Sequence, residues 1–189
     1  MAGKVHFDRF ARWLHWLMAA MILAMLFLGV GMVASLELRP WLLALHRPLG
    51  LLILVLAVIR LWHRYRNPPP PLPVTLQPLQ AWAARASHAL FYLLMLLMPL
   101  LGWAMSSASG LPVGLPGGWV LPAIAPEGPA VYSWLRGAHG VLAYALFALV
   151  LVHVAAALHH AWVRRDGVFE AMTGRKAAGV AAGEDQAQG

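Results

Sequence analysis

Four unbroken apolar stretches, at about residues 13–35, 42–62, 86–108 and 138–163, decide what this chain can fold into. Each is close to the ~20 residues an α-helix needs to cross the hydrocarbon of a bilayer. In hydrocarbon the backbone finds no water, so its N–H and C=O groups must be satisfied within the segment, as a helix does. The pattern therefore predicts an all-α integral membrane protein built as a four-transmembrane-helix bundle. Composition agrees: 61% of the 189 residues are hydrophobic and 11% are charged, with mean hydropathy +0.68, against about 25% charged in a soluble domain. The first stretch is too long, and too rich in Trp and Met, to read as a cleaved signal peptide.

Charge predicts the orientation. In an alternating four-helix arrangement, Lys4, Arg9, Arg12, Arg60, Arg64, Arg66, Arg85, Arg164, Arg165, Arg175 and Lys176 share one side, and Arg39, Arg47 and Arg136 the other. Basic residues collect on the cytoplasmic side, so both termini are expected there. The net charge of +7 follows from this bias and favours anionic lipid head groups. The basic residues sit at helix ends and form no basic face, so nucleic acid is not an expected partner.

Between the stretches lie a short connection at 35–41, a proline-rich linker from Asn67 through Pro68–Pro71, an interfacial segment Gln77–Arg85, and a long external loop at 109–136. Pro99 with Gly102 is expected to kink the third helix. One domain, 1–175, is followed by an Ala/Gly-rich tail, 176–189, expected to be disordered.

Histidine gives the chain its chemistry. His15, His46, His139 and His153 each lie within or beside an apolar stretch. With alternating helix directions, His15 and His153 fall near the inner face, and His46 and His139 near the outer one. His139 and His153 are fourteen residues apart, roughly 21 Å and about 40° short of whole turns, so they share one side of helix 4 at two depths. Two imidazole pairs at two depths are what two stacked haems, each held by two axial histidines, require. Four residues on from these histidines stand Ala19, Gly50, Ala143 and Ala157, small enough for a flat ring to lie against the helix. A haem with both axial positions filled transfers electrons and leaves no site for oxygen. Cysteine is absent, which excludes disulfides, cysteine-ligated clusters and covalent haem attachment, so the haem must be of b type.

Other residues admit two readings. His88 and His160, at the expected inner ends of helices 3 and 4, could hold a quinone carbonyl or pass protons, or be solvated helix-end histidines. Arg47 could pair with an outer haem propionate, and Arg9, Arg12 or Arg60 with an inner one; snorkelling to lipid phosphate is the competing role. Met18, Met21, Met25, Met95 and Met98 with the histidines could mean copper transport, or plain packing.

Several motifs together resemble the prokaryotic di-haem cytochrome b561 family: Arg12-Trp13-Leu14-His15-Trp16, Leu45-His46-Arg47-Pro48-Leu49-Gly50, Ser87-His88-Ala89-Leu90-Phe91-Tyr92, Ala138-His139-Gly140, Val152-His153, and Leu158-His159-His160 with Arg165-Asp166-Gly167. The resemblance covers about residues 6–175. It implies a four-helix bundle with two b haems on the matching His15, His46, His139 and His153, exchanging electrons with ubiquinone in the membrane. It also implies a donor at the periplasmic face. Some members resemble superoxide oxidases, for which Arg39, Arg47 and Arg136 would attract the anion. The alternatives are a haem-bearing anchor passing electrons for a periplasmic dehydrogenase or reductase, and a His/Met metal transporter.

Overall fold

The computed structural model describes residues 6–71, 77–111, 113–114 and 118–174. Its elements in chain order are α1 (Arg9–Ala34), α2 (Arg39–Arg66), α3 (Pro78–Ala108), α4 (Pro129–His159), a π-helical turn (His160–Arg164) and the short α5 (Val168–Thr173). All four long helices are long and apolar enough to cross a membrane. The expected tail at 176–189 lies outside the described residues.

Local chemistry accounts for where the helices begin. Asp8 caps α1, its carboxylate accepting from the Ala11 N–H at 2.9 Å, which satisfies one of the donors a helix start leaves open. Proline opens α2, α3 and α4 in the first turn, where its missing N–H costs nothing and its fixed φ suits the helix. Gln77 and Gln80 close a reciprocal capping box at the start of α3. Pro48 and Pro99 are carried inside α2 and α3 without ending them.

All four helices start before their apolar stretches, α3 and α4 by about two turns. The segment expected to lie at the interface before helix 3 is the first two turns of α3, and Pro129–Arg136, expected in the external loop, is the start of α4. That loop is shortened to residues 109–128, and it is fastened to the end of α3. The Trp103 indole donates to the Pro122 carbonyl at 2.9 Å, and Ser107 Oγ accepts from the Ile124 N–H at 3.1 Å.

Consecutive helices pack side by side, α1 on α2, α2 on α3 and α3 on α4. The core lies on one stripe of each: Leu14, Met18 and Ile22 from α1, Ile53 and Ala57 from α2, Leu94 and Met95 from α3, and Leu146 from α4. Met21 and Met25 pack against it. The methionine stripe thus fills space between helices, as adaptable thioethers do. Outward-facing residues such as Phe27, Val30, Leu93 and Val152 are exposed, which in water would be costly and in lipid is the favoured arrangement.

Contacts between segments gather the first residues of α1, the last of α2, the first of α3 and the last of α4 at one end. Asp8 lies 3.5 Å from His63, Arg164 donates to Gln80 at 2.8 Å, and the Phe7 N–H donates to the Ala171 carbonyl. This basic end also carries Arg9, Arg12, Arg66 and Arg165. The loop end, opposite, carries Arg39, Arg47 and Arg136. The alternating arrangement on which the charge count rests is therefore the one the chain adopts.

Candidate functional site

The two expected imidazole pairs both face each other. His15 and His153 have ring centres 6.3 Å apart, and so do His46 and His139. His15 is six residues into α1 from the basic end and His153 six from that end of α4, whereas His46 and His139 sit nearer the loop end. A metal–imidazole bond of about 2 Å, with about 1.1 Å more from nitrogen to ring centre, puts two imidazoles on one ion about 6 Å apart. Both pairs have that separation.

Polar satisfaction bears on two of these four residues, His46 and His139. Nδ1 of His46 and Nδ1 of His139 are buried without a hydrogen-bond partner among the described residues, an arrangement that costs free energy in a bundle that binds nothing there. The histidine rings are half-buried, and Ala19, Ala143 and Ala157 beside them are half-buried too. Gly50 is different: it is buried, and a Cβ there would lie 3.5 Å from the Met25 methyl. That is an ordinary van der Waals contact, so the packing of α1 on α2 does not itself demand glycine there. At Gly102 an added Cβ would lie 3.7 Å from His139 Cε1, again an ordinary contact.

Around the His15 pair the structure places residues that sequence alone did not connect. Arg60 of α2 points a terminal nitrogen at His15 Nδ1 at 3.2 Å, and its Nε donates to the Tyr92 hydroxyl at 3.3 Å. The His153 ring is flanked by Phe91 at 5.1 Å and by His88 at 6.1 Å. His88 does not open helix 3: α3 begins at Pro78, so His88 lies ten residues in, about 15 Å along the axis. That brings it level with His153.

His160 has a different environment. Its Nδ1 lies 2.8 Å from Asp166 Oδ2, and Arg164 Nε lies 3.4 Å from the same oxygen. The π-helical turn arranges this, with its i→i+5 bond from the Arg165 N–H to the His160 carbonyl at 2.8 Å and Arg165 in the left-handed region at φ 51°. No ring contact or hydrogen bond joins His88 to His160 among the described residues. The two histidines, considered together from sequence, are two separate features of the basic end. Arg47 is half-buried beside His46 in sequence, with no carboxylate paired to it among the described residues. His63 faces Asp8, and its ring lies 4.9 Å from that of Phe10.

Four long apolar helices that carry imidazoles paired at two depths make a membrane-spanning bundle suited to hold haem. The chain belongs to the prokaryotic cytochrome b561 family, whose pattern it matches over residues 6–175. It is 32% identical over 165 residues to cytochrome b561 homolog 2 of Escherichia coli (strain K12), covering 85% of this chain and 87% of that protein. It is 27% identical over 164 residues to a probable superoxide oxidase, CybB, of Yersinia pestis (86% and 93%), and 28% identical over 190 residues to cytochrome b561 homolog 1 of Escherichia coli (89% and 99%). A b-type haem and electron transfer in a membrane come with the family.

Proposed function

We propose that this cytochrome binds two b haems, one between His15 and His153 and one between His46 and His139, and carries electrons from the loop end to quinone at the basic end. The single observation behind this reading is the equal 6.3 Å separation of the two imidazole pairs. Each haem, when bound by two imidazoles, supplies a one-electron site with no open coordination position. The protein's own part is to hold the two pairs at fixed depths, about 21 Å apart along α4, and to keep water out with the apolar stripe of Leu14, Met18, Leu94 and Leu146.

Charge bias along the chain puts the basic end in the cytoplasm and the loop end outside, in the bacterial inner membrane. At the loop end, Arg39, Arg47 and Arg136 give a positive potential that draws an anionic donor such as superoxide. Arg47 also serves the propionate of the haem beside His46. Two superoxide anions give up one electron each and leave as dioxygen; one ubiquinone takes both electrons with two protons and becomes the quinol. His160, whose Nδ1 donates to Asp166, leaves Nε2 to accept from a quinol hydroxyl, and His88 offers a second imidazole at the level of His153.

A second reading is a haem-bearing anchor for a periplasmic dehydrogenase or reductase. The loop fastened to α3 favours it by presenting exposed Trp119, Leu111 and Val120 beyond the helix ends. Ubiquinone reduction driven by superoxide, followed in proteoliposomes that contain only this protein, separates the two. Turnover supports the oxidase; haem reduction by superoxide without quinol formation supports the anchor.

A further inference from the structure

Arg60 lies well inside α2, six residues before its end, where a charge is costly without a partner. Its guanidinium has three directions. Nε is committed to the Tyr92 hydroxyl, one terminal nitrogen faces His15 Nδ1, and the other is buried with no hydrogen-bond partner. A turn further on, the Arg64 guanidinium lies over the Tyr92 ring, 5.8 Å from its centre. Among the described residues, neither arginine has an ion pair with Asp or Glu. Two cations thus converge on one tyrosine beside an iron-ligand position, and no protein carboxylate answers them.

The contact with His15 sharpens the point. Arginine only donates, so it can face Nδ1 only while that nitrogen accepts. An imidazole that binds a metal through one nitrogen normally donates from the other. Loading the His15–His153 site therefore releases this arm of Arg60, and leaves two guanidinium arms seeking an anion. The ligand itself brings two carboxylates, and carboxylate is the geometry the guanidinium fork fits best.

We propose that Arg60 and Arg64, set in place by Tyr92, form a carboxylate site that holds the propionates of the haem bound by His15 and His153. This deepens the proposed function and rests on its assignment of those two ligands. The site also tunes the haem: a cation beside it stabilises the reduced form, which carries one more negative charge, and so raises its reduction potential.

The test is a redox titration of the purified holoprotein in nanodiscs of neutral lipid, with resonance Raman spectra of the propionate bending band. Arg60→Gln should lower the midpoint of one haem by a tenfold change in its reduction equilibrium, about 59 mV for one electron, and shift that haem's propionate band. The other haem should not move. Arg60→Lys should fall between, and Tyr92→Phe should shift the same haem in the same direction by less. If Arg60→Gln loses one haem, retention of both by Arg60→Lys supports the site in its place. Unchanged midpoint and band in Arg60→Gln overturn the proposal. So does a wild-type midpoint that moves when anionic lipid replaces neutral lipid, with Arg60→Gln insensitive to the exchange, because the ligand is then a lipid phosphate. A His153→Ala control identifies the haem concerned. If that control keeps both haems, the ligand assignment fails first; if it loses one and Arg60→Gln changes nothing, only the carboxylate site fails.

Discussion

The most informative perturbation concerns which imidazole opposes His153. Two candidates lie at almost equal range: the His15 ring centre at 6.3 Å and that of His88 at 6.1 Å. Both satisfy the separation of about 6 Å that two metal–imidazole bonds impose, so distance cannot choose between them. Setting can. His15 lies on the core-facing side of α1, one residue from the fully buried Leu14, whereas His88 leaves more of its surface exposed. His15 also matches His153 in distance from the basic end. His15→Ala should therefore remove the low-spin signal of one haem, so that the reduced α-band falls to about half of the wild-type amplitude for a two-haem chain. His88→Ala should leave both low-spin haems in place and slow only the reaction with quinone. The assay is a reduced-minus-oxidised spectrum of each purified variant, with electron paramagnetic resonance to count low-spin centres. Loss of a low-spin centre in His88→Ala, with two retained in His15→Ala, would refute the reasoning and make His88 the ligand.

Four further outcomes follow from packing, capping and charge. Leu14→Ala opens a cavity at a fully buried position and should destabilise the bundle by about 2–5 kcal/mol, measured by thermal unfolding in detergent. At Gly31, by contrast, an added Cβ meets only the tip of Leu42, 2.9 Å away. Gly31→Ala should be close to neutral in the same experiment, since that contact is offset by the gain of about 1 kcal/mol from replacing glycine within a helix. Asp8→Ala removes the α1 cap and its contact with His63, costing about 1 kcal/mol. A cysteine introduced at Ser109, at the loop end, should react with a membrane-impermeant thiol reagent added to intact cells; protection there would reverse the orientation.

The spans were legible because hydropathy reports where hydrocarbon must be met, and the four stretches each became a helix. Helix ends were less so. The opening turns of α3 and α4 carry Gln80, Arg85, Ser133 and Arg136, which belong at an interface and break the apolar run without breaking the helix. Proline at Pro78 and Pro129 was the available signal, since it opens helices readily. That misplaced start also put His88 at the membrane edge, when it is three turns in. The imidazole pairs could be read from helix direction and residue count alone. The setting of Arg60 could not, because it depends on how α1 and α2 are rotated against each other and on where α3 brings Tyr92. A charge before the end of the second apolar stretch was the sequence clue to it. The π-helical turn left no clear trace in the pattern, although Asp166, which it brings to His160, stands within the motif Arg165-Asp166-Gly167.

Haem content tests the central claim most directly. Haem would be counted per chain in the detergent-purified protein, with reduced-minus-oxidised spectra of the wild type, His139→Ala and His153→Ala. Two low-spin b haems per wild-type chain are expected, with one lost in each variant and the remaining haem spectrally distinct between them. A single haem in the wild type, or two haems surviving either substitution, would contradict the paired-imidazole account.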